Sequence, residues 1–187
     1  MDNNSTLEIR TAELTAKEKK LVGYAVKWGC RSCVLWDEFT EQFAPNAFKN
    51  SLSNKADVRA LFEHEYKNLL GRTTSGTLKL TEDTTGLRFE LTPPDTQLGR
   101  DVLALVERGD ISGVSFGFRA IKDQWDISTE PYHRTVLEAE LREITITSLP
   151  AYPDSGVEIA KRSLNATKSK PQPPNLRDKW LQLAEVE

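Results

Sequence analysis

The sequence predicts an α+β fold built on a mainly antiparallel sheet, and three observations carry that expectation. Short runs of alternating apolar and polar residues recur along the chain, separated by polar turns such as SGT and EDTTG, the pattern of an antiparallel meander. One segment, DTQLGRDVLALVERG, has clear helical periodicity over 97–108. Two longer alternating runs follow it, one around Gly113–Arg119 and one from Thr135 to Leu149.

At 187 residues, with 38% hydrophobic and 28% charged side chains, the chain suits one globular domain with a real core and a tail. A net charge of −3 provides no basic field, so neither nucleic acid nor an anionic membrane is the expected partner. No apolar run approaches the ~18 residues of a membrane span. The N-terminus, MDNNSTLEIR, lacks a signal-peptide apolar region, so the chain is expected to stay in the compartment where it is made. The two cysteines make no disulfide framework and fit a reducing cytoplasm.

In chain order, Leu7–Arg10 and Leu21–Trp28 read as strands, and Trp36–Phe43 as an extended segment. Pro45 marks a helix start, with Phe48 and Leu52 four apart on one side. From Asp57 a strand places Val58, Ala60, Phe62 and His64 in one row. Leu69–Thr74, Leu78–Thr81 and Leu87–Thr92 follow as strands, stopped by Pro93 and Pro94. The 97–108 helix has Thr96 as its cap, Leu98, Val102, Leu105 and Val106 as its apolar stripe, and Gly109 as its stop.

That helix leads into GDISGVSFGFR, where Val114, Phe116 and Phe118 share one face and Ser115, Gly117 and Arg119 the other. A serine between two glycines on an open face suits a nucleophile; the same pattern also suits a buried strand with a bulge or tight bend. His64 ends an apolar row and is one of two histidines, so acid–base chemistry near neutral pH has few other places to reside. The second, His133, falls in the polar turn STEPYHR and reads as a solvated surface residue. In TVLEAELREITITSL, strict alternation sets Glu143 among Leu137, Ala139 and Leu141, with Ile144 and Ile146 opposite. A carboxylate there is costly unless a bulge near Arg142 turns it away or a partner such as a protonatable histidine meets it. Cys30 and Cys33 form a CxxC, but zinc needs four ligands and no redox βαβ pattern follows.

By this point the chain resembles the prohead (capsid-maturation) serine proteases of tailed bacteriophages and prophages. The resemblance rests on FAPNAFKNSL, ALFEHEYKNLLGRT, GLRFELTPPDT, ISGVSFGF and LREITITSLPAYP in that order, covering roughly Leu7 to Arg162. It implies Ser115 as nucleophile, His64 as its base and Glu143 as the third, acidic member. The family is similar to the herpesvirus assemblins, which implies a closed β-barrel with surrounding helices. Assemblins use a second histidine as third member, which makes His133 the alternative to Glu143. Backbone amides near Ser148 to Tyr152, or the side chain of Arg142, are the candidate oxyanion donors. Asn46 stands where the family commonly has glycine.

The implied function is a serine endopeptidase that needs no cofactor or metal. Its expected substrates are the scaffolding segment of the major capsid protein and the protease itself, cleaved inside the assembling prohead in the host cytoplasm, with self-association as a further expectation. Two other classes remain: a non-catalytic capsid scaffold with the same fold, and a thiol or metal protein using Cys30 and Cys33. Residues 1–162 are expected to form the protease domain. Residues 163–187 are expected to be a flexible linker and a short amphipathic segment bearing Leu176, Trp180, Leu181 and Leu183.

Overall fold

A computed structural model describes residues 8–17, 19–148 and 167–169, with only the backbone for 8–17. Eleven elements run in the order β1 (Glu8–Lys17), β2 (Lys20–Lys27), β3 (Phe39–Phe43), α1 (Lys49–Ser53), β4 (Arg59–Phe62), β5 (Glu65–Arg72), β6 (Leu78–Glu82), β7 (Gly86–Leu91), α2 (Gln97–Arg108), β8 (Gly113–Asp126) and β9 (Tyr132–Thr147). The strands form one nine-stranded sheet in the order β5-β4-β9-β8-β1-β2-β7-β6, with β3 also pairing with β9.

The expected closed, antiparallel barrel with surrounding helices is not what forms. The sheet is open, about half of the residues are strand, and among the described residues helix is confined to α1, α2 and a turn at 167–169. β3 and β4 both run parallel to β9. Parallel partners far apart in sequence leave no local turn signature, so alternation and turn residues could not reveal them. The sheet fails to close because β5 and β6, joined by the 73–77 loop, are not laddered to each other. The Arg72 amide at the end of β5 instead donates to the Thr77 side-chain hydroxyl, at 3.0 Å.

The long strand β9 organises the molecule. One edge pairs with β8 from Gly113↔Thr147 to Asp126↔His133. Its other edge is satisfied piecewise. β3 pairs with Tyr132–Val136, and β4 with Glu143–Ile146. In the gap, the Ala139 amide donates to the Ala47 carbonyl at 2.8 Å, and the Leu141 amide to Ser51 Oγ of α1 at 3.1 Å. Asn46, at the approach to α1, has φ 64, a left-handed conformation that asparagine tolerates better than most residues.

Val114, Phe116 and Phe118 are all buried in the core as expected, and Phe116 and Phe118 meet Phe43 at ring-centroid distances of 5.5 and 5.0 Å. Helix α2 packs its Val102 and Val106 onto that core. Thr96 accepts a hydrogen bond from the Gly99 amide, and Gly109 (φ 83) ends the helix as expected. Of the expected tail, the structure describes only 167–169, where Lys168 Nζ lies 4.3 Å from the Tyr132 ring centroid. The GVEIAKRSL segment, the rest of the linker and the segment bearing Trp180 lie outside the described residues.

Candidate active site

The face of the sheet opposite the phenylalanine core carries the site. Across β4, β9 and β8, Leu61, Thr145 and Ser115 stand in one register row, and Arg59, Glu143 and Gly117 in the next. Directly paired residues share a face and alternate residues return to it, so Ser115, Thr145 and Glu143 point to the same side.

Glu143 reaches that side because of a bulge. Gly117 pairs with Glu143 and Phe118 with Leu141, so Arg142 is the unpaired extra residue of β9. Leu141 therefore joins Phe118 on the core face while Glu143 turns away from it. On the opposite edge of β9, in the gap between β3 and β4, the Leu141 amide donates to Ser51 Oγ. Glu143 is nonetheless only 3% exposed, and its Oε1 lies 2.8 Å from His64 Nδ1. Bulge and histidine partner, alternatives in the sequence, are both present. Thr145 Oγ1 also donates to Glu143 Oε1, at 3.5 Å.

His64 is not the last residue of a strand. It and Glu63 have φ 57 and 52 and form the two-residue connection between Phe62 and Glu65, which pair across the hairpin. Positive φ at both positions is the sign pattern of a type I′ turn, usually built from asparagine and glycine. A carboxylate acceptor at Nδ1 requires the proton on that nitrogen, which leaves Nε2 as the free base of a neutral ring. His64 Nε2 and Ser115 Oγ are both buried and neither has a hydrogen-bond partner among the described residues. Ser115 is 0% exposed, not on the open face that its flanking glycines suggested.

His133 is no solvated turn residue. It lies in β9 between Thr40 of β3 and Asp126 of β8, with Nδ1 2.9 Å from Thr40 Oγ1. Burial, then the charge of Arg31, hold its pKa below the usual histidine range, with Asp126 and Thr40 opposing. It stands at the far end of β9 from Thr145, on the order of 40 Å away along the strand at ~3.3 Å per residue. Cys30 and Cys33 are exposed free thiols. Of the candidate oxyanion donors, the Ser148 amide donates to Glu63 Oε1 at 2.8 Å, and Arg142 pairs with Glu140 at 3.1 Å. Residues 149–152 lie outside the described residues.

A model of the family described as caudovirus prohead serine protease matches residues 5–170. The chain belongs to this family. Among prohead proteases, that of Enterobacteria phage HK97 is 34% identical over 121 residues, 63% of this chain and 51% of the relative. That of Escherichia phage T5 is 26% identical over 116 residues, 62% of this chain and 50% of the relative. The chain thus spans about half the length of the curated prohead proteases it matches. The solved capsid assembly protease of bacteriophage T4 superposes with a TM-score of 0.53 at 12% identity, covering 79% of this chain and all of that one. That likeness concerns the fold.

Three residues around the site were not singled out in the sequence. Thr145 had a signal: after the bulge, Glu143, Thr145 and Thr147 form a clean polar row against Ile144 and Ile146. Ser51 and Glu63 had none, because each acts on β9 from a distant segment.

Proposed function

We propose that this chain is a serine endopeptidase in which Ser115 is the nucleophile, His64 the general base and Glu143 the group that orients and charge-stabilises the imidazole. The observation that carries this reading is the 2.8 Å contact from His64 Nδ1 to buried Glu143, with Ser115 on the same sheet face. In the resting arrangement Ser115 Oγ and His64 Nε2 are not hydrogen-bonded to each other. Such contacts commonly tighten only when substrate is bound.

In the first step Ser115 Oγ bonds to the scissile carbonyl carbon as its proton passes to His64 Nε2. The carbonyl oxygen becomes an oxyanion, and Glu143 stabilises the imidazolium. Collapse breaks the C–N bond, and His64 returns the proton to the departing amine. Water then attacks the acyl-serine, again giving its proton to Nε2. The second collapse releases the carboxylic acid product and restores the Ser115 hydroxyl.

Family membership, and relatives named for prohead and capsid assembly, support capsid assembly proteins as substrates. The scaffolding segment of the major capsid protein and the protease chain itself are the substrates we assign, acting inside the assembling prohead. Co-expression with the major capsid gene tests this. The wild type should yield a shortened capsid protein and Ser115→Ala only the full-length one; equal shortening by both would refute the assignment.

A further inference from the structure

The turn that carries His64 is an unfavourable one. Two consecutive non-glycine residues at positive φ are strained, and glutamate has none of the tolerance for that region that glycine, asparagine and histidine show. Something outside the turn must hold it. The Glu63 amide donates to the Ile146 carbonyl at 3.0 Å, which extends the β4–β9 ladder by one bond. The Glu63 carboxylate does more. Oε2 accepts from Thr147 Oγ1 at 2.8 Å, and Oε1 accepts from both the Ser148 amide and Ser148 Oγ at 2.8 Å. Three hydrogen bonds thus join a residue next to the general base to the end of the strand that carries Glu143. They also complete the edge of β9 that β3, α1 and β4 cover before it.

We propose that Glu63 is a positioning residue of this site: its carboxylate clips the His64 turn onto the end of β9 and so keeps the imidazole against Glu143. The proposal rests on the catalytic reading of His64 above, and adds a residue that acts through His64 rather than on the reacting atoms. Burial alone would raise the Glu63 pKa. The Ser148 amide, the Thr147 and Ser148 hydroxyls and nearby His64 outweigh burial and hold it below the usual carboxylate range. With the folded value depressed, the clip is fully formed above the ordinary glutamate pKa of ~4.3 and weakens only as pH falls through the folded value. It is therefore in place across neutral pH.

Two variants separate a clip from a charge effect. Glu63→Gln keeps an acceptor for Ser148 and presents an amide to the Thr147 hydroxyl, whereas Glu63→Ala removes all three bonds. The first readout is the low-field Nδ1 proton of His64 in ¹⁵N-histidine-labelled protein. There are two histidines in the chain, so His133→Asn assigns the signal. Wild type and Glu63→Gln should show the hydrogen-bonded proton, and Glu63→Ala should lose it. The second readout is the rate of reaction with a fluorophosphonate. It should fall on the order of 10²-fold in Glu63→Ala, as expected when a reacting group is misplaced by about 1 Å, and stay within about fivefold in Glu63→Gln. A retained proton signal in Glu63→Ala overturns the proposal, and so does equal damage by both variants, which would assign the effect to charge. If the wild type failed to react with the fluorophosphonate at all, the catalytic reading would fall, while the proton signal would still decide whether Glu63 holds His64.

Discussion

Replacing Glu143 by glutamine removes one charge from the site while conserving its shape. The carboxylate is 3% exposed and 2.8 Å from His64 Nδ1. When the imidazole takes up the serine proton, the two become a charge pair. At that distance and an effective dielectric constant of ~20 their attraction is about 6 kcal/mol. The amide also changes the tautomer. Its NH₂ group can face Nδ1, which then becomes an acceptor and forces the proton onto Nε2, where a general base must be bare. The corresponding change in a well-studied triad lowers kcat by about 10⁴-fold, equivalent to ~5.4 kcal/mol at 1.36 kcal/mol per decade. The two figures agree closely enough to expect a loss of 10³- to 10⁴-fold here. The assay is the second-order rate of fluorophosphonate reaction, followed by intact mass, because it needs no known cleavage sequence. The thermal midpoint should change little, since a hydrogen bond survives and a buried charge disappears. If Glu143→Gln reacted within threefold of wild type, the orientation and charge argument would be refuted.

Substitutions at three other positions have further expected outcomes. His133→Asn should leave the phosphonylation rate unchanged, because His133 stands at the other end of β9 from Thr145. Its depressed pKa means that the unfolded chain binds the proton first, so stability falls as pH drops through the unfolded value of ~6.5; His133→Asn should flatten that acid-side loss in a series of thermal melts. Arg134 is fully buried, 2.8 Å from Glu41 and 2.9 Å from Asp123, so Arg134→Ala should cost ~3–5 kcal/mol of stability, measured by denaturant unfolding; a loss below about 1 kcal/mol would contradict its role. Ser112 is exposed and precedes β8, so Ser112→Ala should react with the fluorophosphonate as the wild type does.

Local patterns carried the reading wherever local physics decides the structure. The 97–108 helix appears with its expected cap and stop, because its periodicity, Thr96 and Gly109 lie within one short segment. The Val114–Phe118 row is core for the same reason. The errors arose where distant segments take over. Period two placed His64 in a strand, but Glu63 and the end of β9 fold it into a left-handed turn. The STEPYHR segment looked solvated, yet His133 is drawn into β9 beside Thr40, and Arg134 is wholly buried by pairing with Glu41 from β3 and Asp123 from β8. The barrel expectation came from resemblance alone, and the strand order leaves β5 and β6 as unpaired ends of an open sheet. Glu143 was recognisable as an anomaly on an apolar row. That it meets both a bulge and a histidine was not, since the bulge arises in the pairing with β8 and the histidine comes from the distant 63–64 turn.

The central claim is that Ser115 is made nucleophilic by His64. Mass mapping of the fluorophosphonate adduct tests it most directly, on wild type and His64→Ala side by side. A single adduct on Ser115 in the wild type, absent or slowed at least 10³-fold in His64→Ala, is the expected result. An adduct on another serine, or equal labelling of Ser115 with and without His64, would contradict the account.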